Sequence, residues 1–356
     1  MGKSVPKYVY VEDKIKQAIK KGEIVNKLPG ERLLAKEFGF SYMTIRKAVD
    51  NLVAAGILYR IPMKGTFVAD KKTSRKKTLN IGYFLDSTIK DGLTSPYYSL
   101  IFNALEKEAA NNGYSLIYFS DINKANVKVK VRQIDGVIAS CFPRIEHIIK
   151  QINKIVPVVV IDNSHSDKTI PSVIIDNFNA VVDSMDYLYS IGHNRIGFMT
   201  GLEDSDVGKN RYMGYKSALN NHGLDESEDL VFKGNYSFKS GIEGANYFLS
   251  LDKPPTAIMC ANDSMAIGVM KKISETGLNV PDDISVIGFD DINMAAQIIP
   301  PLTTVSAPIK MIAKQSFIML NSLIRGEKLD NRHVALPAQL VIRRSCAQRK
   351  KTTTAA

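Results

Sequence analysis

Residues 28–68 read LPGERLLAKEFGFSYMTIRKAVDNLVAAGILYRIPMKGTFV, and their pattern predicts a helix, a tight turn, a second helix and a two-stranded hairpin. Ile45, Ala48, Val49, Leu52 and Val53 recur at helical spacing and make one buried face. Ser41 is placed to cap that helix and Gly56 to stop it. A preceding helix from about Glu31 is expected to bury Leu33, Leu34 and Phe38 and to end at Gly39. Only Gly39, Phe40 and Ser41 remain to join the helices, a turn short enough to set them at the steep angle of a helix-turn-helix. Tyr42, Met43, Arg46 and Lys47 then lie off the buried stripe, at the end that a recognition helix offers to a major groove. Residues 57–61 and 66–68 are β-rich and flank a Pro-Met-Lys-Gly turn, so the hairpin carries a basic tip at Lys64.

Charge gives this stretch a partner. The 356-residue chain has 47 Lys and Arg against 36 Asp and Glu, a net charge of +11. Residues 1–78 hold 18 of the basic and 7 of the acidic residues, which leaves 29 of each in the remainder. The whole excess sits on the first fifth of the chain, and a basic head on a neutral body points to a polyanion bound by the head alone. Residues 1–10 read as a loose arm, followed from Val11 by an amphipathic helix ending at Gly22. The winged helix is expected over residues 1–69, and residues 70–78 (DKKTSRKKT) form a charged linker.

From Leu79 short apolar runs alternate with helical stretches: LNIGYFL, YSLIYF, DGVIAS, VPVVVID, SVIID, RIGFMT, TAIMCA and ISVIGF. That alternation predicts parallel sheet covered on both faces, and about 270 residues suit two doubly wound subdomains better than one sheet. The body is expected over residues 79–345, with a disordered tail at 346–356. No run reaches the length of a membrane span, and the N-terminus lacks the apolar core of a signal peptide, so a cytoplasmic address is expected. Cys141, Cys260 and Cys346 make no disulfide framework. The enzyme motifs of a doubly wound scaffold, GxGxxG, GxxxxGK[ST] and GxSxG, are missing, and the five histidines lack metal-ligand spacing. No enzyme activity, cofactor or metal is expected.

In an open parallel sheet, ligands sit beyond the carboxyl ends of the strands. The residues there are Asp86, Tyr97, Tyr98, Cys141, Asp162, Asn163, a loop reaching Arg211, Tyr236, Asn262, Asp263, Asp290 and Asp291. One of Asn262 and Asp263, and one of Asp290 and Asp291, should cap the following helix. Aromatic rings with Asp, Asn and Arg suit a sugar, whose ring stacks while planar polar groups hold its hydroxyls.

Two family resemblances cover nearly the whole chain. The head resembles the GntR family of bacterial winged-helix regulators: residues 28–35 (LPGERLLA) match its opening, 44–48 (TIRKA) its recognition helix and 64–68 (KGTFV) its wing. Tyr42 stands where that family usually has Arg. The resemblance implies DNA contacts from Arg32, Ser41, Tyr42, Met43, Thr44, Arg46, Lys47, Lys64 and Gly65. The body resembles the effector-binding domain of the LacI/GalR family, a periplasmic-binding-protein-like fold, through SPYYSLIFNALEKEAANNGY, IDGVIAS, PVVVID, IGHNRIGFMTG, RYMGYKSAL, PTAIMCANDSMAIGVM, VPDDISVIGFDD and PPLTTV in family order. That resemblance implies effector contacts from Arg211, Asn262 and Asp290, with Tyr236 stacking, and carries over Tyr97, Tyr98, Asp162 and Asn163. Only residues 120–133 lie between two strands where the family has a longer helix. The expected fold is α/β: a winged helix-turn-helix plus two doubly wound parallel-sheet subdomains. The expected function is a dimeric transcriptional regulator, a repressor of carbohydrate-use genes, that binds double-stranded operator DNA and responds to a small sugar. A nucleoside or purine effector, or an activator or co-repressor mode, is the alternative.

Overall fold

A computed structural model describes residues 6–62, 64–68, 77–86, 89, 91–120, 127–140, 142–202 and 205–349. The chain divides into two compact units, Met1–Lys77 and Thr78–Ala356.

The first unit contains α1 (Lys7–Lys21), α2 (Glu31–Phe38), α3 (Tyr42–Ala54), β1 (Leu58–Ile61) and β2 (Gly65–Val68). Ser41 caps α3 by accepting a bond from the Thr44 amide, and Gly39 closes α2 in the left-handed conformation that glycine adopts without strain. Val11, Ile15, Leu34, Ile45, Ala48, Val49, Leu52 and Leu58 form one core, with Val53 and Phe38 packed half-buried against it. Three local expectations change. Helix α1 starts at Lys7, four residues early, because Pro6 presets the turn before it and Tyr8 adds to the core. Leu33 is 59% exposed; the stripe of α2 runs through Leu34 and Phe38, one turn apart, and Leu33 lies off it. Residues 26–28 add a rung to the hairpin, with Lys27 bridging Phe67 and the Leu28 amide donating to Thr66.

The second unit runs through β3 (Asn80–Leu85), α4 (Pro96–Asn111), β4 (Ser115–Phe119), α5 (Val127–Lys130), β5 (Gly136–Ser140), α6 (Glu146–Asn153), β6 (Val158–Ile161), β7 (Ser172–Ile175), α7 (Asn177–Ser190), β8 (Ile196–Met199), α8 (Asp206–Asn221), β9 (Val231–Phe232), α9 (Phe238–Leu249), β10 (Ala257–Cys260), α10 (Asp263–Glu275), β11 (Ser285–Asp290), α11 (Asn293–Gln297), β12 (Thr303–Ser306), α12 (Ile309–Ile324), β13 (His333–Leu336) and β14 (Gln339–Val341). Two six-stranded sheets result, in the orders β4-β3-β5-β6-β7-β13 and β9-β8-β10-β11-β12-β14. Every pairing is parallel except β12 with β14. The chain passes between the sheets after β7, after β12 and after β13. Strands β5, β6, β8 and β10 are buried at every residue, as strands with both faces covered must be, which is why they read as unbroken apolar runs.

The ends of this unit are firmer than expected. Thr78, placed in the linker by its sequence, donates from its amide and hydroxyl to Asp135 at 2.9 Å; residues 70–76 lie outside the described residues. Cys346 to Arg349, placed in the tail, are bonded: the Ala347 amide to Ser285, the Arg349 amide to Ile191 and the Arg349 guanidinium to Asn194. Where the family has its longer helix, this chain has the single turn α5, with Val127 and Val131 buried beside α6.

Candidate functional site

All eight residues expected around the effector line one cavity of about 630 Å³ in the second unit, beyond the carboxyl ends of the two sheets. Tyr97 and Tyr98 open α4, and Pro96 at its first position sets their direction. The Tyr97 hydroxyl donates to Asp162 Oδ1 at 2.9 Å, and the two tyrosine rings meet edge-on at 5.1 Å. Asp162 follows β6 at φ 68°, a left-handed residue at a strand end. Its Oδ2 is buried and makes no hydrogen bond to any described residue.

The facing wall is built on Arg211. The sequence leaves it in a loop, but Ser205 caps α8 and places Arg211 inside that helix, 4% exposed. Its Nε donates to Asn177 Oδ1 at 2.8 Å, and its Nη1 donates to the Ala261 carbonyl. Its guanidinium lies 3.5 Å over the Phe289 ring, and its Nη2 stands 3.8 Å from Asp290 Oδ1. Asp290 ends β11 at φ 113°. Burial pushes its carboxyl well above the usual range, against the pull of Arg211 and with the help of Asp263 and Asp162. Burial raises Asp162 as well, opposed by Ser140, Tyr97 and Arg211. Two carboxylates therefore share one cation in a poorly solvated cleft, and both resist carrying full charge there.

Tyr236 sits at φ 67° with its carbonyl accepting from Asn262 Nδ2 at 2.9 Å. The hydroxyl end of its ring packs on Gly201, where a Cβ would fall 1.9 Å from the Tyr236 Cζ. Asn262 also caps α10 by accepting from the Met265 amide at 2.9 Å, so its amide holds Tyr236 in place as well as lining the cavity. Asn163 joins the two walls. Its Oδ1 accepts from Ser205 Oγ at 3.3 Å and from the Val207 amide at 3.1 Å, linking the loop after β6 to the start of α8.

The cap expected of Asp290 or Asp291 does not form. Helix α11 opens on Ile292 without a side-chain cap. Asp291 pairs instead with Arg343 at 2.6 Å, and Asp263 takes the Ile292 amide at 2.8 Å from beneath. Burial raises the Asp263 carboxyl to about 7. Asp86 does not line the cavity and lies 3.4 Å from Arg144. Cys141 is outside the described residues. Sequence reasoning missed Asn177, Asn235 and Ser264 in the lining; Asn177 stands two residues beyond β7, just after the Asp176 cap, and the strand-end rule applied to that strand would have led to it.

On the first unit, Arg32, Ser41, Tyr42, Met43, Arg46, Lys47, Lys64 and Gly65 are exposed and Thr44 is half-buried. Ser41 and Thr44 share a hydroxyl bond at 2.9 Å, so their side chains serve the cap. Lys47 stands 4.4 Å over the Tyr8 ring. Arg60 is held by Glu31 and Asp50 at 2.8 and 2.6 Å, whereas no ion pair among the described residues engages Arg32 or Arg46. Among those residues no group of three His, Cys, Asp or Glu could hold a metal ion, and no helix is long and apolar enough to cross a membrane.

A winged helix-turn-helix head in one chain with a two-sheet body around a polar cleft is the architecture of a ligand-responsive transcriptional regulator. The gntR family of bacterial regulatory proteins matches residues 7–68, and the periplasmic binding protein-like domain matches residues 185–346. The HTH-type transcriptional repressor CytR of Escherichia coli strain K12 is 32% identical over 262 residues, 71% of this chain and 76% of its own. The probable HTH-type transcriptional repressor ExuR of Bacillus subtilis strain 168 is 33% identical over 258 residues, 71% of this chain and 77% of its own. The crystal structure of the transcription regulator CcpA of Lactococcus lactis superposes with a TM-score of 0.67 at 25% identity, covering 76% of this chain and all of that one. The chain belongs to the LacI family of transcriptional repressors, and its head is of the gntR family.

Proposed function

We propose that this regulator is a cytoplasmic homodimer that represses carbohydrate-use genes and takes an uncharged sugar in the cleft of the second unit. The observation that carries the reading is the grouping of Arg211, Asp162 and Asp290 around one cavity with Tyr97, Tyr98 and Tyr236. Planar carboxylates, amides and a guanidinium each bind two neighbouring hydroxyls, and a tyrosine face accepts the C–H side of a sugar ring. Charge narrows the class. Asp162 and Asp290 line the cavity with Arg211, which is already bonded to Asn177 and Ala261 and stacked on Phe289, and Asp91, Arg144, Lys239 and Glu243 line it as well. Hydroxyl donors would satisfy Asp162 Oδ2, a buried oxygen without a partner among the described residues, whereas a phosphate or uronate placed there would offer it only further acceptors. The Asn163 bonds to Ser205 and Val207 hold the two walls together, so ligand and latch favour the same closed arrangement. Closure shifts operator affinity by about 5–150-fold, the usual range of such coupling. Two heads related by a two-fold axis would meet a pseudo-palindromic operator.

A thermal-shift screen of pentoses, hexoses, disaccharides, nucleosides, sugar phosphates and uronates tests this. A neutral sugar should raise the melting temperature, and its phosphate and uronate derivatives should not. Asp290→Ala should abolish that shift and leave DNA binding largely in place. A response confined to nucleosides moves the effector to that class, and an unchanged titration in Asp290→Ala removes Asp290 from the site.

A further inference from the structure

The recognition helix begins with side chains that its own fold leaves uncovered. Met43 is 68% exposed and Tyr42 is 41% exposed. They occupy the first two positions of α3, immediately after the Ser41 cap. One turn further along the same face, at i+3 and i+4 from Met43, stand the exposed Arg46 and Lys47. The apolar tip therefore lies inside a cationic surface, on a head that carries the whole excess charge of the chain. The first turn of a recognition helix is the part that reaches base edges, whereas cations further along also serve phosphates. A methionine thioether offers a base edge no strong donor or acceptor. The one apolar group on the floor of the major groove is the thymine methyl.

We propose that Met43 specifies an A·T pair in each operator half-site by packing on the thymine methyl, with Tyr42 widening the apolar contact. The inference rests on the DNA-binding assignment of the head and adds the chemistry of one base pair to it. Three residues of helix rise about 4.5 Å, close to one base-pair step of about 3.4 Å. The pair read by Met43 thus lies one or two steps from the position governed by Arg46.

The test uses the full-length protein and duplexes selected by it from a random-sequence library. Each thymine of the selected half-site is replaced singly with deoxyuridine, which removes the methyl and keeps every hydrogen-bonding group. At one thymine per half-site the parent should lose about fourfold in affinity, the value of one buried methyl. Met43→Ala should bind thymine and deoxyuridine duplexes equally, because alanine is too short to reach. Met43→Leu should keep the difference. Both variants retain the fold, since the position is exposed and both residues are good helix formers. Indifference of the parent to deoxyuridine at every thymine overturns the inference, and so does an unchanged deoxyuridine penalty in Met43→Ala. Selection of no duplex at all would overturn the DNA-binding reading of the head beneath it.

Discussion

The exposed face of α3 and the cleft of the second unit use their polar residues in opposite ways. On α3 the candidates for function are the side chains the fold does not employ: Tyr42, Met43 and Arg46 project into solvent, while Ile45, Ala48, Val49 and Leu52 do the packing. In the cleft the candidates are tied to one another. Arg211 holds Asn177, Ala261 and Asp290; Asn262 holds Met265 and Tyr236; Asn163 holds Ser205 and Val207. A reading surface must leave its groups free for a partner that arrives with its own charges. A buried polar cleft must pair most of its groups and can leave only a few, such as Asp162 Oδ2 and the Tyr236 hydroxyl, for a ligand, because each unpaired group in low dielectric costs about 1–3 kcal/mol. Substitution should therefore separate binding from stability on the head and confound them in the body.

The sharpest break of that contrast is Arg211→Ala. It removes a cation that is 4% exposed and leaves Asp290, 8% exposed, without its partner. Uncompensated buried charge costs about 3–5 kcal/mol when one member of a buried pair is deleted. Some of that is recovered here, since the Asp290 carboxyl is already raised by burial and can take up a proton. Denaturant unfolding should show a loss at the lower end of that range, together with loss of the effector response. If the variant melted like the parent, the view that the cleft stabilises the body would be wrong.

Gly201→Ala comes next and sharpens the comparison, because it removes no polar group. The added methyl would meet the Tyr236 ring at 1.9 Å, and Tyr236 cannot yield freely while its carbonyl is held by Asn262. Overpacking of this kind costs about 1–3 kcal/mol. Displacing the ring should also weaken effector binding by at least about tenfold, measured by calorimetry with whichever sugar the screen identifies. An effector affinity equal to the parent's would show that Tyr236 does not stack on the ligand.

The sheets of the body were readable in advance because parallel strands buried on both faces leave a signature that needs no partner to interpret: VVVI in β6 and AIMC in β10 are apolar at every position. Strand ends then pointed to Asp162, Asn262 and Asp290. What escaped was set by contacts without periodicity. Helix α8 begins in a polar stretch, SDVGKN, whose only signal is the Ser205 cap, so Arg211 read as a loop residue. Residues 346–349 are anchored by the Ala347 and Arg349 amides, which any side chains could make, and by the Cys346 thiol and the Arg349 guanidinium, whose acceptors lie far back in the chain. Asp291 is drawn off from α11 by Arg343, 52 residues further along, and Asp290 faces Arg211 in the cleft, and no local rule reports partners at those distances. On the head, period and cap were both local, and helix α3 was legible nearly to the residue.

Arg46→Ala carries the smallest expected change in stability, and it isolates the head's side of the comparison. Arg46 is exposed, and among the described residues it is held in no ion pair, unlike Arg60, which Glu31 and Asp50 clamp. Alanine is the best helix former, so α3 should lose nothing from the exchange. Unfolding of the variant should match the parent within about 0.5 kcal/mol. Operator affinity should nevertheless fall by about 5–150-fold, the equivalent of about 1–3 kcal/mol for a base contact. If Arg46 reads a base, the loss should vary with the half-site sequence; if it serves a phosphate, the loss should be uniform and the salt slope should drop by about one. The effector-induced thermal shift of the same variant should equal the parent's. A variant that bound operator as tightly as the parent would remove the assignment of α3 as the reading helix, and one that lost stability along with affinity would show that its exposed face is part of the core's support after all.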